Sequence, residues 1–173
     1  MDYRNDFVIP FSGLNIGNHQ FVFKIDDKFF DNFEYSEIKK GNVNVVLELE
    51  KQEQMLILDF DIEGTLHVMC DRCLDSYDQP IAGQERLIVK FGEQPEEESD
   101  EIVIIPVGQY QFDVSQYIYE YINLLLPYRL VHPEDENGKS LCDPEVIKKL
   151  EELSVKKSTD SKWDILKNIK LSE

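Results

Sequence analysis

Alternation of apolar and polar positions dominates the first two thirds of the chain. Phe21, Phe23 and Ile25 alternate with Gln20, Val22 and Lys24. Val43, Val45, Leu47 and Leu49 alternate with Asn44, Val46, Glu48 and Glu50, and Leu56, Leu58, Phe60 and Ile62 with Ile57, Asp59, Asp61 and Glu63. A period of two places each apolar set on one face of a half-buried sheet. Gly41-Asn42 and residues 50–54 read as turns between these runs. Further strands are predicted at 65–70, 85–91 and 101–106. This many short strands at short spacing predicts an antiparallel sheet or a small barrel. Residues 36–41 interrupt the pattern as a single helical turn, and His19 falls in a turn beginning at Gly17.

The period then changes. Val114, Tyr117, Ile118, Tyr121, Ile122 and Leu125 fall on one face of a helix over 114–125. Asp113 is its N-cap, Gln116 completes a pair of capping-box type, and Pro127 stops it. Residues 132–138 read as loop. Asp143-Pro144 then caps a short helix running to about Leu153. Residues 154–161 read as a linker, and 162–169 as a last amphipathic segment with Trp163, Leu166 and Ile169 on one side. The fold class predicted is α+β: a mainly antiparallel, partly barrel-like sheet with one packed helix and a C-terminal helical extension. Residues 1–138 form the β-rich core domain, and 139–173 the lysine-containing extension.

Length and composition support a folded chain: 173 residues, 42% of them hydrophobic, suffice for one domain with a substantial core. The net charge is −17, from 18 basic and 35 acidic residues. That sign excludes a generally basic nucleic-acid binder, leaves no role with DNA and disfavours anionic membranes. It makes a basic protein partner plausible. No apolar run approaches the length of a membrane span, and the N-terminus lacks the pattern of a signal peptide. Three cysteines, an odd number at low density, do not resemble a disulfide scaffold, so a cytoplasmic chain with reduced thiols is expected. Residues 93–101 carry six acids in nine positions and read as a mobile solvated loop. The tail differs: residues 156–170 hold five lysines against two acids. Lys156, Lys157, Lys162, Lys167 and Lys170, with Trp163, are therefore the candidate partner or RNA contacts. The blander reading is a docking helix whose lysines face water.

Chemistry concentrates at Cys70-Asp-Arg-Cys73. A C-x2-C turn lets two thiolates reach one metal, and His132 and Cys142 supply a Cys3His zinc set. A redox pair is a second reading, although such pairs sit at helix N-termini in βαβ sequence. Two small cysteines buried at a strand end are the third, and the residues alone favour it. His67, alternating with Thr65 and Met69, reads as a structural or surface histidine. No phosphate loop, nucleophile elbow or zincin motif is present. No catalytic residue is assigned.

Cys70-Asp-Arg-Cys73-Leu74 after a β-rich half resembles the C-x-R-C-L signature of the YceD family, the large ribosomal RNA subunit accumulation proteins. The similarity extends through an acidic stretch, a strand, a helix opening on Asp, and Leu-Leu-Leu-Pro ending at Leu126 and Pro127. His132 and Cys142 fall where relatives carry His or Cys. The segment from Trp163 to Lys170 is similar to the family's closing segment, and the N-terminal part resembles the Bacteroidetes-type version. The resemblance implies a non-catalytic factor for the synthesis, processing or stability of 23S rRNA. Many relatives carry several closely spaced thiols after the Leu-Pro, whereas only His132 and Cys142 stand there in this chain. The charge suggests action through a basic ribosomal protein, with Arg72 and Arg129 as further candidates for local RNA contact. A zinc-stabilised adaptor for a non-ribosomal protein, and a cysteine-dependent enzyme, are the competing classes.

Overall fold

The computed structural model describes residues 6–93, 96–99 (backbone course only) and 101–154. Its main element is a six-stranded sheet. Along the sheet, the first four strands follow chain order as an antiparallel meander: β2 (Gly17–Ile25), β3 (Lys40–Lys51), β4 (Met55–Met69) and β5 (Ser76–Gly92). Strand β7 (Ile102–Pro106) then lies parallel to β5, and β6 (Glu96–Ser99) closes the far edge antiparallel to β7. A second, two-stranded sheet joins β1 (Val8–Ile9) to β8 (Phe112–Asp113). The large sheet has edges at β2 and β6 and is not closed into a barrel.

Register follows from the alternation. Val45 faces Ile62, Leu47 faces Phe60, and Leu58 lies opposite both Leu49 and Leu87, so one continuous apolar face crosses three strands. A one-residue slip would turn every one of these side chains to water, which fixes the pairing. Helix α2 (Ser115–Leu124) lays Ile118, Tyr121 and Ile122 on that face. The Tyr121 ring meets Phe60 edge-on at 5.2 Å. Burying one such aromatic contributes about 1.5–3 kcal/mol. Short helix α1 (Asp27–Phe30) adds Phe29 and Phe30, and Phe7 packs on Phe29 at 4.9 Å.

The opposite face is open and acidic. Glu48, Glu50, Asp59, Asp61 and Glu63 project from β3 and β4, and Glu48 stands directly across from Asp59. Like charges in that position repel. Arg86 on β5 relieves the pair by donating to Asp59 through Nε at 2.6 Å and Nη2 at 3.1 Å.

Several expectations are corrected. Gly41-Asn42 is not a turn but lies within β3, opposite Leu66 and Thr65. A Cβ on Gly41 would press on Leu66 Cδ2 at 2.7 Å, so the glycine allows close packing instead of chain reversal. The helical turn expected at 36–41 occurs earlier, as α1, where the Asp26 side chain accepts the Lys28 N–H at 3.0 Å. His19 lies in β2, with Nε2 2.8 Å from Asn15 O. Within the acidic stretch, Glu96–Ser99 forms edge strand β6, because ladder hydrogen bonds use the backbone whatever the side chains are. The N-cap of α2 is Val114 and not Asp113; Asp113 stands one residue earlier and accepts the Ser115 N–H at 2.9 Å, while Gln116 bonds forward to Glu120 at 2.7 Å and closes no capping box. Helix α3 (Pro144–Leu153) has its N-cap at Asp143, as the sequence predicts. Among the described residues, no helix is long and apolar enough to cross a membrane.

Candidate functional site

The site is built where β4 ends. Cys70 follows Met69 directly, and residues 70–75 turn the chain into β5. The turn closes on itself: Leu74 N–H donates to Cys70 O at 2.9 Å, and Cys70 N–H to Asp75 O at 2.9 Å. Leu74 adopts φ 66°, the left-handed region that costs a residue with a Cβ about 1–2 kcal/mol. The turn thus carries some strain while aiming both cysteines inward. Arg72 N–H points at Cys70 Sγ, 3.4 Å away, so the backbone stabilises sulfur charge within the turn.

A second segment crosses this turn and brings the other two donors. Asp71 clamps it from both sides: its N–H donates to Leu130 O at 2.7 Å, and its Oδ2 accepts the Leu130 N–H at 2.8 Å. His132 follows two residues later and packs on the Tyr77 ring at 4.7 Å. The chain then folds back through a bridge between Glu134 and Ser140 and delivers Cys142. Ser140 Oγ accepts the Cys142 N–H at 3.2 Å and lies 3.4 Å from Arg72 Nη1, linking the two segments.

The result is a four-donor cluster. One donor atom from each of Cys70, Cys73, His132 and Cys142 lies within 4.8 Å of all the others. Cys70 Sγ and Cys142 Sγ are 3.7 Å apart, Cys73 Sγ and His132 Nδ1 3.4 Å, and Cys142 Sγ and His132 Nδ1 3.8 Å. Tetrahedral zinc, with bonds of about 2.3 Å to sulfur and 2.0–2.1 Å to nitrogen, requires donor separations of about 3.5–3.8 Å. Those three separations are close to that tetrahedron, and the Cys70 and Cys142 sulfurs at 3.7 Å are beyond disulfide distance. All three cysteines are buried and unpaired as disulfides, and His132 is half-buried. The cluster can hold a metal ion.

The electrostatics fit thiolate ligands unevenly. Burial opposes ionisation of Cys70, but hydrogen bonds from the Cys73, Arg72 and His132 backbones and from the His132 ring bring its thiol down to about 6. Burial pushes the Cys73 thiol up, with the neighbouring sulfurs of Cys70 and Cys142 adding to this against backbone hydrogen bonds at Asp143 and Asp75. Three sulfurs this close cannot all carry charge without a cation between them. Burial, together with the charges of Cys70, Asp71 and Cys142, also raises Tyr77.

The other sequence-designated residues fall differently. Leu74 is exposed, Leu126 packs against the core and Pro127 is exposed after α2. His67 is exposed and pairs with Asp78 at 2.9 Å on the open face. Lys156, Lys157, Lys162, Trp163, Lys167 and Lys170 lie outside the described residues. Sequence reasoning passed over Asp71, Tyr77 and Ser140. Asp71 stands inside the C-x2-C and Ser140 two residues before Cys142, so nearness to a ligand was the available signal.

An open sheet buried on one face, whose β4–β5 turn meets a downstream loop in a Cys3His centre, defines a small β-scaffold with a metal-competent closure. Comparison with known families carries this further. Residues 58–170 match the family model described as Large ribosomal RNA subunit accumulation protein YceD. The chain belongs to the YceD family, and the matched span includes all four donors. No curated protein and no solved structure matched the chain.

Proposed function

We propose that the chain is a non-catalytic cytoplasmic factor that supports 23S rRNA accumulation and large-subunit assembly by holding a basic ribosomal protein. The observation that carries this reading is a charge of −17, with an open sheet face of carboxylates, on a member of a family described by large ribosomal RNA accumulation. An RNA surface would be repelled by that face, whereas a cationic ribosomal protein would be steered to it. Residues 1–138 serve as the acidic core on this reading. Residues 139–173 serve as the extension whose lysines (Lys156, Lys157, Lys162, Lys167 and Lys170) and Trp163 make what nucleotide contact there is.

Zinc is the metal we assign to Cys70, Cys73, His132 and Cys142, because a closed set of three thiolates and one imidazole is a structural zinc donor set. It ties the loop carrying His132 and Cys142 to the sheet and leaves no open position for chemistry. A zinc-stabilised adaptor for a non-ribosomal protein is the competing class, and the family match weighs against it.

The test is binding of purified basic large-subunit proteins to the zinc-loaded full chain at low and high salt. Neutral proteins of equal size are the control. Affinity at least about tenfold above the control, falling steeply with salt, is expected for steering between opposite charges. Equal affinity for basic and neutral proteins refutes the reading.

A further inference from the structure

A cleft of about 650 Å³ lies beside the core, between α2 and strands β5 and β7. Its size is that of a ligand site, ample for a long side chain. Glu85 from β5, Glu101 before β7 and Glu120 from α2 line it, together with Tyr117, Tyr121 and Leu124. Arg86 also lines it and its charge acts on Glu101, but its Nε and Nη2 hydrogen bonds go to Asp59 on the open face.

A second observation points to an occupant. Tyr121 is 6% exposed, and its buried Oη has no hydrogen-bond partner among the described residues. After burial, the main influences on this hydroxyl are Glu85, Tyr117, Glu120 and Glu101, all of which line the cleft. Leaving such a group unsatisfied costs about 1–3 kcal/mol. The hydroxyl can accept a hydrogen bond from a donor entering the cleft. The group that fits is a cation with several N–H donors and a flat face. Guanidinium has five donors in a planar fork, matches carboxylates in pairs and stacks on aromatic rings.

We infer that this cleft seats an arginine side chain of a basic polypeptide, with Glu85, Glu101 and Glu120 around the guanidinium and the Tyr121 hydroxyl accepting one of its N–H groups. The inference rests on the basic-partner reading and locates the partner's anchor. It places that anchor on the helix-covered side of the sheet, away from the wider acidic face.

The experiment measures binding of a fluorescent peptide of alternating arginine and glycine to the zinc-loaded full chain near physiological salt. A lysine–glycine peptide of equal charge is the comparison. The double variant Glu85→Gln/Glu120→Gln is set against Glu151→Gln/Glu152→Gln, which removes the same charge from exposed positions on α3. We expect the cleft variant to weaken arginine-peptide binding about tenfold, as loss of charge-assisted hydrogen bonds should. The α3 control should change it by less than about twofold, since screening mutes distant charge. Tyr121→Phe should weaken binding about threefold while leaving the urea midpoint unchanged or raised, because it removes an unsatisfied group. The arginine peptide should bind more tightly than the lysine peptide. Equal losses in the two double variants, equal affinity for the two peptides, or preference for a 23S rRNA fragment over the arginine peptide each overturns the assignment. Purified basic ribosomal proteins separate the two ideas. If the wild-type chain binds none of them, the basic-partner reading fails. If it binds them and the cleft variants bind equally well, only the cleft assignment fails.

Discussion

Cys142→Ser isolates what the Cys3His cluster does for the fold. Cys142 is the last donor along the chain and stands ten residues after His132. Serine is close in size, so on the zinc assignment the change would remove a metal–sulfur bond with little loss of packing. A cross-link closing a span of that length removes about 3 kcal/mol of unfolded-chain entropy on the loop-closure model. An ion gripping both ends should therefore protect the intervening amides about 100-fold better than an ion gripping only one end. Hydrogen exchange of the zinc-loaded protein reads this directly. Amides of 131–142 should lose about two powers of ten of protection in the variant. Those of β3 and β4, held by their own ladder, should stay unchanged and serve as the internal reference. Bound zinc, counted per chain with a colorimetric chelator, should fall well below one. Retention of one zinc per chain with unchanged protection of 131–142 would refute the reasoning, and so would a loss spread evenly over the sheet.

Three other outcomes follow from particular contacts. Gly64→Ala should destabilise the fold by about 1–3 kcal/mol in urea titration, because its Cβ would meet the backbone of Asn42 and Val43, which cannot move aside. Gly83→Ala should cost clearly less, since the atoms nearest its Cβ belong to the Leu125 side chain, which can rotate; equal costs would contradict the argument. Phe60→Ala should cost about 3–5 kcal/mol, since Phe60 is buried at the centre of the apolar face and carries the Tyr121 contact. In the metal-free protein, the Cys70 thiol is lowered from 9.0 to about 6. A depressed thiol stabilises the folded state fully above its unfolded value of 9.0, and loses that contribution as pH falls through about 6. The urea midpoint of metal-free wild type should therefore rise relative to Cys70→Ser between these values, and a flat difference would show no folded-state thiolate at Cys70.

How much of this could be read from the sequence depends on whether the signal was local. The buried face of β3 and β4 was legible, because period-two alternation is a property of adjacent residues. Helices α2 and α3 were legible for the same reason, α2 through its apolar spacing and α3 through the cap at Asp143 and the proline after it. Glycine misled where it served packing: Gly41 suggested a turn, and Gly64 helped hide the continuity of a strand running from Met55 to Met69. Pro80 and Gly83 masked most of β5 in the same way. The parallel pairing of β5 with β7 left no mark in either segment, since it depends on where the crossing chain returns. The four donors were named, but their convergence was not readable. Cys73 and His132 are 59 positions apart, and the Asp71–Leu130 clamp joins segments just as distant. The cleft was invisible for the same reason: Glu85, Glu101 and Glu120 come from β5, the turn before β7 and α2, and a lone glutamate carries no signal.

The cluster also bears on helix α3. Helix α3 has no fully buried residue and touches the core only through half-buried Val146 and Ile147. A helix of ten residues with so little burial is marginal by itself. Its first turn, however, is fixed by Asp143, whose carboxylate accepts the Glu145 N–H at 2.8 Å. Asp143 is the next residue after Cys142, so the donor that completes the cluster also sets the origin and direction of α3. Metal loading should then control two things together: closure of the 131–142 loop, and the order of α3. Helicity lost on chelation should accordingly belong to α3 and leave α2 intact, because α2 is held by Ile118, Tyr121 and Ile122 on the sheet regardless of the metal. Amide exchange resolved by segment distinguishes the two helices. Loss at α2 equal to that at α3 would mean that the cluster supports the whole domain instead of its C-terminal closure.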